Sequence, residues 1–343
     1  MPTRTSPIAA KLLRWFGAHR RDLPWRREPR TAYRVWVSEI MLQQTQVKTV
    51  VPYYRRWLRR FPDVRRLAAA SIDEVLKAWE GLGYYRRARQ MHEAASLVVR
   101  RRGGKFPSSA HELGSLPGIG PYTAAAVASI AFGEDVVAVD GNVRRVASRL
   151  MALGDPTREA VRTRLEALLP AGRAGAFNEA MMELGAGVCL PRRPLCRACP
   201  LSSACRAHRP GRVGRFPPPP RRRRAPRVQA IALVVSRGNA FFLRRRPEGE
   251  MLGGLWGFPL VREGTLTGLE GILLPPVRHD YTHLKLTAYP LLLRQGQGRL
   301  PRWGGAGEAK FFTRAGMAKL ALSRLDHKIL ARACTGIGSR NGR

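Results

Sequence analysis

Acidic side chains are scarce in this sequence: 24 Asp and Glu stand against 61 Lys and Arg, a formal charge of +37 over 343 residues. Lysine is scarce as well, supplying only eight of those cations, so the positive charge is carried by arginine. No run of roughly 18 apolar residues and no basic amphipathic anchor is present, which excludes a spanning helix and weakens a membrane surface as the anionic partner. The excess is not confined to one tail: residues 1–208 carry +18, 209–227 carry +8 and 228–343 carry +11. A field of one sign over the whole chain favours a long polyanion, nucleic acid before membrane. Richness in Arg, Ala, Gly and Pro is also what a GC-rich genome produces, so charge alone decides little. The stretch up to Arg21 has no acid and several Arg, as a transit peptide would, but it has no apolar core of signal-peptide length. It runs straight into Arg21-Asp-Leu-Pro-Trp25 and reads as domain, in a reducing, bacterial cytoplasm.

Cysteine is also sparse. Of five, four fall together as Cys189, Cys196, Cys199 and Cys205, in the spacing Cys-x6-Cys-x2-Cys-x5-Cys, with Cys334 alone far away. Four thiolates this close can wrap one metal centre. Zinc is the first rival, but zinc ribbons pair two short knuckles and only one Cys-x2-Cys is present. Disulfides are disfavoured in a reducing compartment. An iron–sulfur cluster is the favoured reading, with zinc left open.

At 44% hydrophobic content the chain is long enough for about two cores. Residues 1–208 read as helices broken by Gly and Pro, among them one opened by the capping box Ser71-Ile-Asp-Glu74 and ending near Gly81-Leu-Gly83. Pro217 to Pro220 followed by Arg221 to Arg224 cannot bury a core, so 209–227 reads as a linker. Beyond it, Val228 to Val235 and Ala240 to Leu243 look like strands around an Arg237-Gly-Asn239 turn. Tyr289 to Leu293 and Lys310 to Phe312 add candidate strands, and Arg314 to Ala333 a candidate helix. Residues 228–343 are therefore an α+β domain behind an all-α one.

In Leu116-Pro-Gly-Ile-Gly-Pro-Tyr122, Gly118 and Gly120 let the backbone turn tightly and expose amides at a helix N-terminus, an arrangement suited to phosphate. Alone, this is only a helix-to-helix turn. Asp140, before Gly-Asn142-Val-Arg-Arg-Val, reads first as a helix N-cap, where a carboxylate is at home. The order of these parts, with the cysteine run behind them, resembles the helix-hairpin-helix iron–sulfur glycosylase superfamily, and the cysteine spacing resembles that of endonuclease III-like enzymes. The resemblance implies one [4Fe-4S] cluster on the four cysteines, shaping a loop whose Arg192, Arg193 and Arg197 meet DNA phosphates. It also implies that Asp140 stabilises the oxocarbenium-like sugar formed as a base leaves. Members that also cut the strand carry a Lys two residues after the second hairpin Gly, whose amine forms a Schiff base. Tyr122 stands there, and a phenol forms no imine, so base removal without efficient strand cleavage is expected.

The segment Val35-Trp-Val-Ser-Glu39-Ile-Met-Leu-Gln-Gln44 resembles the signature helix of the adenine-specific mismatch glycosylases of the MutY type. A lone Glu on an amphipathic helix is ordinarily a solvated residue. Adenine, however, leaves poorly until a ring nitrogen is protonated, and Glu39 among Val35, Trp36, Ile40 and Leu42 has neighbours that would raise its pKa. Glu39 as proton donor and Asp140 as charge stabiliser form the split expected of glycoside cleavage. The resemblance further implies that Gln44 and Tyr84, in Gly81-Leu82-Gly-Tyr84-Tyr85, wedge into the duplex as the base is extruded. Leu82 goes with them at the DNA. Arg21, Leu23, Trp25, Glu179 and Asn142 match positions lining the adenine pocket or supporting Asp140, and Tyr122 is expected against Asp140.

Adenine is a normal base, so an enzyme removing it must read the base opposite. Residues 228–343 resemble the Nudix-like C-terminal domain of these glycosylases, most clearly at Gly253-Gly-Leu-Trp-Gly-Phe-Pro259. The Glu-Glu Nudix box that binds magnesium is missing, with Glu263 and Glu270 isolated, so recognition of 8-oxoguanine without phosphatase chemistry is expected. The family's Phe-Ser-His reading loop corresponds to Tyr281-Thr282-His283, which keeps a hydroxyl and the imidazole. The expected partner is double-stranded DNA with A·8-oxoguanine or A·G mispairs, met by a nucleoid-associated monomer.

Overall fold

The computed structural model describes residues 5–209, 211–218, 225–261, 271–294 and 308–338. Helices α1 (Pro7–His19), α2 (Ala32–Leu42), α3 (Val47–Arg60), α4 (Val64–Ala69), α5 (Ile72–Trp79), α6 (Arg86–Arg102), α7 (Ala110–Leu113), α8 (Pro121–Phe132), α9 (Gly141–Met151), α10 (Arg158–Glu166) and α11 (Ala174–Gly187) come first. Then follow β1 (Arg227–Arg237), β2 (Ala240–Arg245), β3 (Trp256–Gly257), β4 (Leu260–Val261), β5 (Ile272–Leu273), β6 (Val277–Asp280), β7 (Lys285–Arg294), β8 (Ala309–Thr313), α12 (Arg314–Ala318) and α13 (Arg324–Gly338). The chain divides into two compact units, Met1–Ala69 with Gln90–Arg221, and Ala70–Arg89 with Arg222–Arg343.

That division differs from the one read in sequence, because residues 70–89 group with the C-terminal sheet. The reason lies in specific bonds: Asp73 takes an ion pair from Arg245 at 2.7 Å, and Lys77 donates to the Leu320 carbonyl at 2.9 Å. Contacts at such sequence separation leave no local trace. Part of the Pro/Arg run, Pro219 to Arg224, lies outside the described residues, as do Glu263 and Glu270.

In the helical unit α8 is the buried centre. Residues Thr123–Ser129 are all buried, and four alanines among them keep the helix narrow. Gly120 opens it with Pro121 in its first turn, where the missing N–H costs nothing, and Gly133 closes it in the left-handed conformation. Glycine is needed where α11 crosses its neighbours: a Cβ on Gly175 would stand 2.6 Å from the Ser129 carbonyl, and one on Gly185 would stand 2.7 Å from the Asn142 Cβ. A second core joins α1, α9, α10 and α11, with Leu201, Cys189, Cys199 and Cys205 packed against it. The cysteine loop is thus part of this core's wall.

In the other unit all eight described strands join in one sheet, whose spine is the parallel pair β1–β7, Arg227↔Lys285 to Ser236↔Arg294. Alternation on β1 sends Ala230, Ala232 and Val234 toward α13, where Leu325, Ile329 and Ala333 are buried, and Leu233 and Val235 to the other face. The β1–β2 turn is the two residues Gly238-Asn239, with Gly238 at φ +59° as a type II′ hairpin requires. The helix expected over Arg314 to Ala333 is two helices. Ser323 starts the second by accepting from the Asp326 N–H at 3.1 Å, while Asp326 pairs with the buried Arg246 at 2.9 Å. A single continuous helix would forfeit that pair.

Candidate active site

Glu39 lies on α2, which buries Val35–Met41 and draws this carboxyl in with them, leaving it 6% exposed. Thr31 starts the helix by accepting from the Arg34 N–H, as an N-cap does. Burial pushes the Glu39 carboxyl up to about 7; the Tyr122 hydrogen bond and Arg26 oppose the rise, and the charges of Asp140 and Glu179 add to it. Glu39 is therefore an acid that holds its proton near neutral pH.

Tyr122, in the first turn of α8, donates its hydroxyl to Glu39 Oε2 at 2.7 Å. Asp140 lines the same cavity and bears on the phenol through its charge. Burial first, and then the charges of Glu39 and Asp140, hold the phenol well above its ordinary range, so it stays a donor.

Asp140 caps α9. Its Oδ1 accepts from the Val143 N–H at 2.6 Å and its Oδ2 from the Asn142 amide at 2.9 Å. Both the N-cap reading and the support from Asn142 are present in one geometry. Asn142 is held in turn by Arg145, which donates to its Oδ1 at 2.8 Å, to the Gly185 carbonyl at 2.8 Å and to the Cys189 carbonyl at 2.9 Å. One arginine therefore ties the Asp140 cap to the start of the cysteine loop.

Glu39, Tyr122, Asp140, Asn142, Arg21, Leu23, Trp25, Gln44, Gly120 and Glu179 all line one cavity of about 900 Å³. Sequence reasoning names Arg21 and Glu179 but misses Arg26, Arg30 and Glu183, which join them in one ion-pair set in its wall. Glu179 and Glu183, four apart on one face of α11, are gripped by Arg26 and Arg30 and by Arg21 and Arg26 respectively, at 2.5–3.1 Å. Burial alone would raise Glu183, but the Arg21 hydrogen bond and the Arg26 charge hold it below the usual carboxylate range. The i, i+4 glutamates were the available signal; that three arginines from the α1–α2 connection would meet them was not.

Gly118 stands at φ +74° with its missing Cβ 2.7 Å from the Gln90 Cβ, so a side chain there is excluded. Gly120 has ordinary φ and open space, and no side chain caps α8 above it. Gln44 and Tyr84 both adopt left-handed backbone, at φ +54° and +50°, which non-glycine residues rarely do. Gln44 is exposed beside the cavity, and Tyr84, in the C-terminal unit, is 42% exposed. Leu82, expected at the DNA, is buried at 6%. Tyr281-Thr282-His283 form the loop joining β6 to β7, with Thr282 and His283 exposed; the Tyr84 and Thr282 hydroxyls are 3.0 Å apart.

None of the five cysteines forms a disulfide. Burial, and behind it the nearby Cys189, Cys205 and Cys196, push the Cys199 thiol up to about 11. Arg149 donates to Cys189 Sγ at 3.4 Å and to the Leu190 and Pro191 carbonyls at 2.6 and 3.0 Å. Among the described residues no three His, Cys, Asp or Glu side chains converge closely enough for a single metal ion. Four cysteine sulfurs on one short loop are the donor set that an iron–sulfur cluster would take. Arg192, Arg193 and Arg197 are exposed on the same loop.

A buried acid and a capped carboxylate on a helical frame with a Gly118–Gly120 turn are the parts of a base-excision DNA glycosylase, and the comparisons with known proteins place the chain in that class. Residues 37–171 match the HhH-GPD superfamily of base excision DNA repair proteins, and residues 230–332 match the NUDIX domain family. The chain belongs to the adenine DNA glycosylases: it is 39% identical to the mouse adenine DNA glycosylase over 363 residues, 83% of this chain and 70% of that one. Among solved structures, a thermostable thymine-DNA glycosylase aligns with a TM-score of 0.54 at 30% identity, over 59% of this chain and 95% of that one. An endonuclease III–DNA complex shares the fold, with a TM-score of 0.52 at 24% identity, over 59% and 94%. The family extends to mammals, so membership does not assign the chain to a bacterium. Among the described residues no helix is long and apolar enough to cross a membrane.

Proposed function

We propose that this chain is a monofunctional glycosylase that removes adenine paired with 8-oxoguanine or guanine in double-stranded DNA, acting as a monomer. The observation that carries the reading is Glu39, buried and pushed up to about 7, sharing a cavity with Asp140. Glu39 donates its proton to a ring nitrogen of the extruded adenine. The N-glycosidic bond then breaks with its electron pair going to the base. The cationic sugar left behind faces the Asp140 carboxylate until water adds at the anomeric carbon and gives up a proton to the Glu39 carboxylate, which restores the acid. Products are adenine and an abasic site.

Other residues are given parts in keeping with their positions. The uncapped N-terminus of α8 and the exposed arginines of the cysteine loop meet backbone phosphates. Gln44 and Tyr84 offset the stacking lost on extrusion. Thr282 and His283 read the opposite 8-oxoguanine. Cys189, Cys196, Cys199 and Cys205 hold one [4Fe-4S] cluster, which supplies a charged scaffold for that loop; no step of base removal is assigned to it.

The test is single-turnover base release from duplexes holding adenine opposite 8-oxoguanine, guanine or thymine, run with and without borohydride. Adenine release from the first two, strands that break only on later alkali treatment, and little trapped adduct are expected. Thymine-derived release with abundant borohydride adduct would overturn the reading. In the same assay Gly185→Ala slows base release by up to about 100-fold, because the new Cβ displaces Asn142 and with it Asp140.

A further inference from the structure

The C-terminal unit contains a stretch of chain that sequence assigns to the helical domain, and that stretch carries Tyr84. Its attachment centres on Glu80, at the C-terminal end of α5. One carboxylate oxygen, Oε1, accepts from the Leu322 N–H at 3.0 Å and lies 2.9 Å from His327 Nε2. The other, Oε2, accepts from Lys77 Nζ at 2.5 Å, and Lys77 also donates to the Leu320 carbonyl. A single side chain thus engages the loop before α13, α13 itself and its own helix. Lys77, His327 and the Leu322 amide are among the groups facing it, and against burial the hydrogen bonds from Lys77, His327 and that amide hold its carboxyl below the usual range. Asp73 on the opposite end of α5 adds its pair with Arg245, and Arg89 bonds the Gly253 carbonyl.

The turn that follows Glu80 is shaped for one purpose-built geometry. Gly81 and Gly83 have φ of +94° and +74°, and Tyr84 follows at +50°. The Gly83 carbonyl is held by Trp79 Nε1 at 3.0 Å and by Arg87 at 3.1 Å, while the Gly81 N–H donates to the Tyr85 hydroxyl at 3.1 Å. A left-handed tyrosine is strained and persists only when its surroundings over-determine it. Its ring is nevertheless exposed, with the hydroxyl placed 3.0 Å from that of Thr282. The Tyr84 turn and the β6–β7 loop are therefore registered to each other through the frame that Glu80 joins.

We infer that Glu80 is a positioning residue for reading the base opposite adenine: it locks the Tyr84 turn to the α13 side of the C-terminal unit so that Tyr84 and Thr282 present one preorganised surface. This rests on the proposal that the β6–β7 loop reads 8-oxoguanine. Glu80 touches no substrate. Its loss should relax the surface and spare the fold of the sheet, because Glu80 meets the core around Leu325, Ile329 and Trp256 through the Leu322 amide and its removal takes no apolar side chain from that core.

The experiment compares adenine release opposite 8-oxoguanine with release opposite guanine for the wild type, Glu80→Ala, Glu80→Gln and, as a stability control, Leu325→Ala. Glu80→Ala is expected to lower the 8-oxoguanine-to-guanine preference about tenfold, the scale of one lost hydrogen-bonded contact. Glu80→Gln, which keeps an acceptor for the Leu322 amide, restores part of it. Leu325→Ala lowers the melting temperature and leaves the preference unchanged. Hydrogen exchange at residues 81–85 rises in Glu80→Ala alone. A wild type with no preference overturns the reading of the opposite base. A wild-type preference that Glu80→Ala leaves intact, or that Leu325→Ala lowers equally, overturns the role of Glu80 by itself, as does unchanged exchange at the turn.

Discussion

Glu39→Gln lowers the single-turnover rate of adenine release by about 10²–10⁴-fold, the range a positioned general acid contributes. The substitution keeps the size of the side chain and an acceptor for the Tyr122 hydroxyl, so the cavity wall is preserved and DNA affinity holds. Stability moves the other way, and its pH dependence identifies the cause. In the unfolded chain a glutamate titrates near 4.3, whereas burial moves Glu39 to about 7 in the fold. Below the lower value both states hold the proton, and Glu39 costs the fold nothing. As pH rises between the two values only the unfolded chain ionises, so stability is progressively lost, and above about 7 the loss is complete. The melting temperature of Glu39→Gln should therefore match the wild type near pH 4, pull ahead as pH rises, and keep a constant lead above pH 7. Thermal melts at stepped pH check this, and equal melting curves at pH 8 would mean that Glu39 is not buried as an acid.

Asp140→Asn is expected to slow adenine release by about 10²–10³-fold, as the loss of one preorganised electrostatic partner of a transition state does. Asparagine is as good an N-cap as aspartate, so α9 still starts at Gly141 and the cost to folding is small. What changes is charge. The Asn142 amide, which donates to Asp140 Oδ2, would meet either an oxygen of lower charge or an amide of its own kind. Unchanged melting temperature and DNA affinity with a collapsed rate would separate this role from the structural one. A loss below tenfold would reduce Asp140 to a helix cap.

The local physics of these elements was plain in the residues. The Ser71–Glu74 capping box, the Asp140 cap and the two-residue turn at Gly238 each need only neighbours in sequence, and each is present. The apolar run Val228 to Val235 reads as a strand, and β1 spans it. What stayed hidden depends on distant partners. The grouping of α5 with the sheet rests on Asp73, Lys77 and Glu80 finding Arg245, Leu320 and Leu322 across more than 150 positions. The break before α13 serves the buried Arg246–Asp326 pair. In the cavity, residues named from resemblance do come together, but the arginine grip on Glu179 and Glu183 and the Arg145 link to the cysteine loop join segments that sequence gives no reason to pair. Tyr122 illustrates the limit well: sequence puts it beside Asp140, and its hydrogen bond to Glu39 follows only from the packing of α2 on α8.

The central claim is that Glu39 delivers the proton that lets adenine leave, and the pH profile of single-turnover adenine release tests it most directly. Between pH 5.5 and 9 the wild-type rate should be highest on the acidic side and fall as Glu39 loses its proton through about 7, while Glu39→Gln should be slow throughout and show no such fall. A wild-type rate that stays level or rises above pH 7, or a Glu39→Gln enzyme that retains both the rate and the profile, would contradict it.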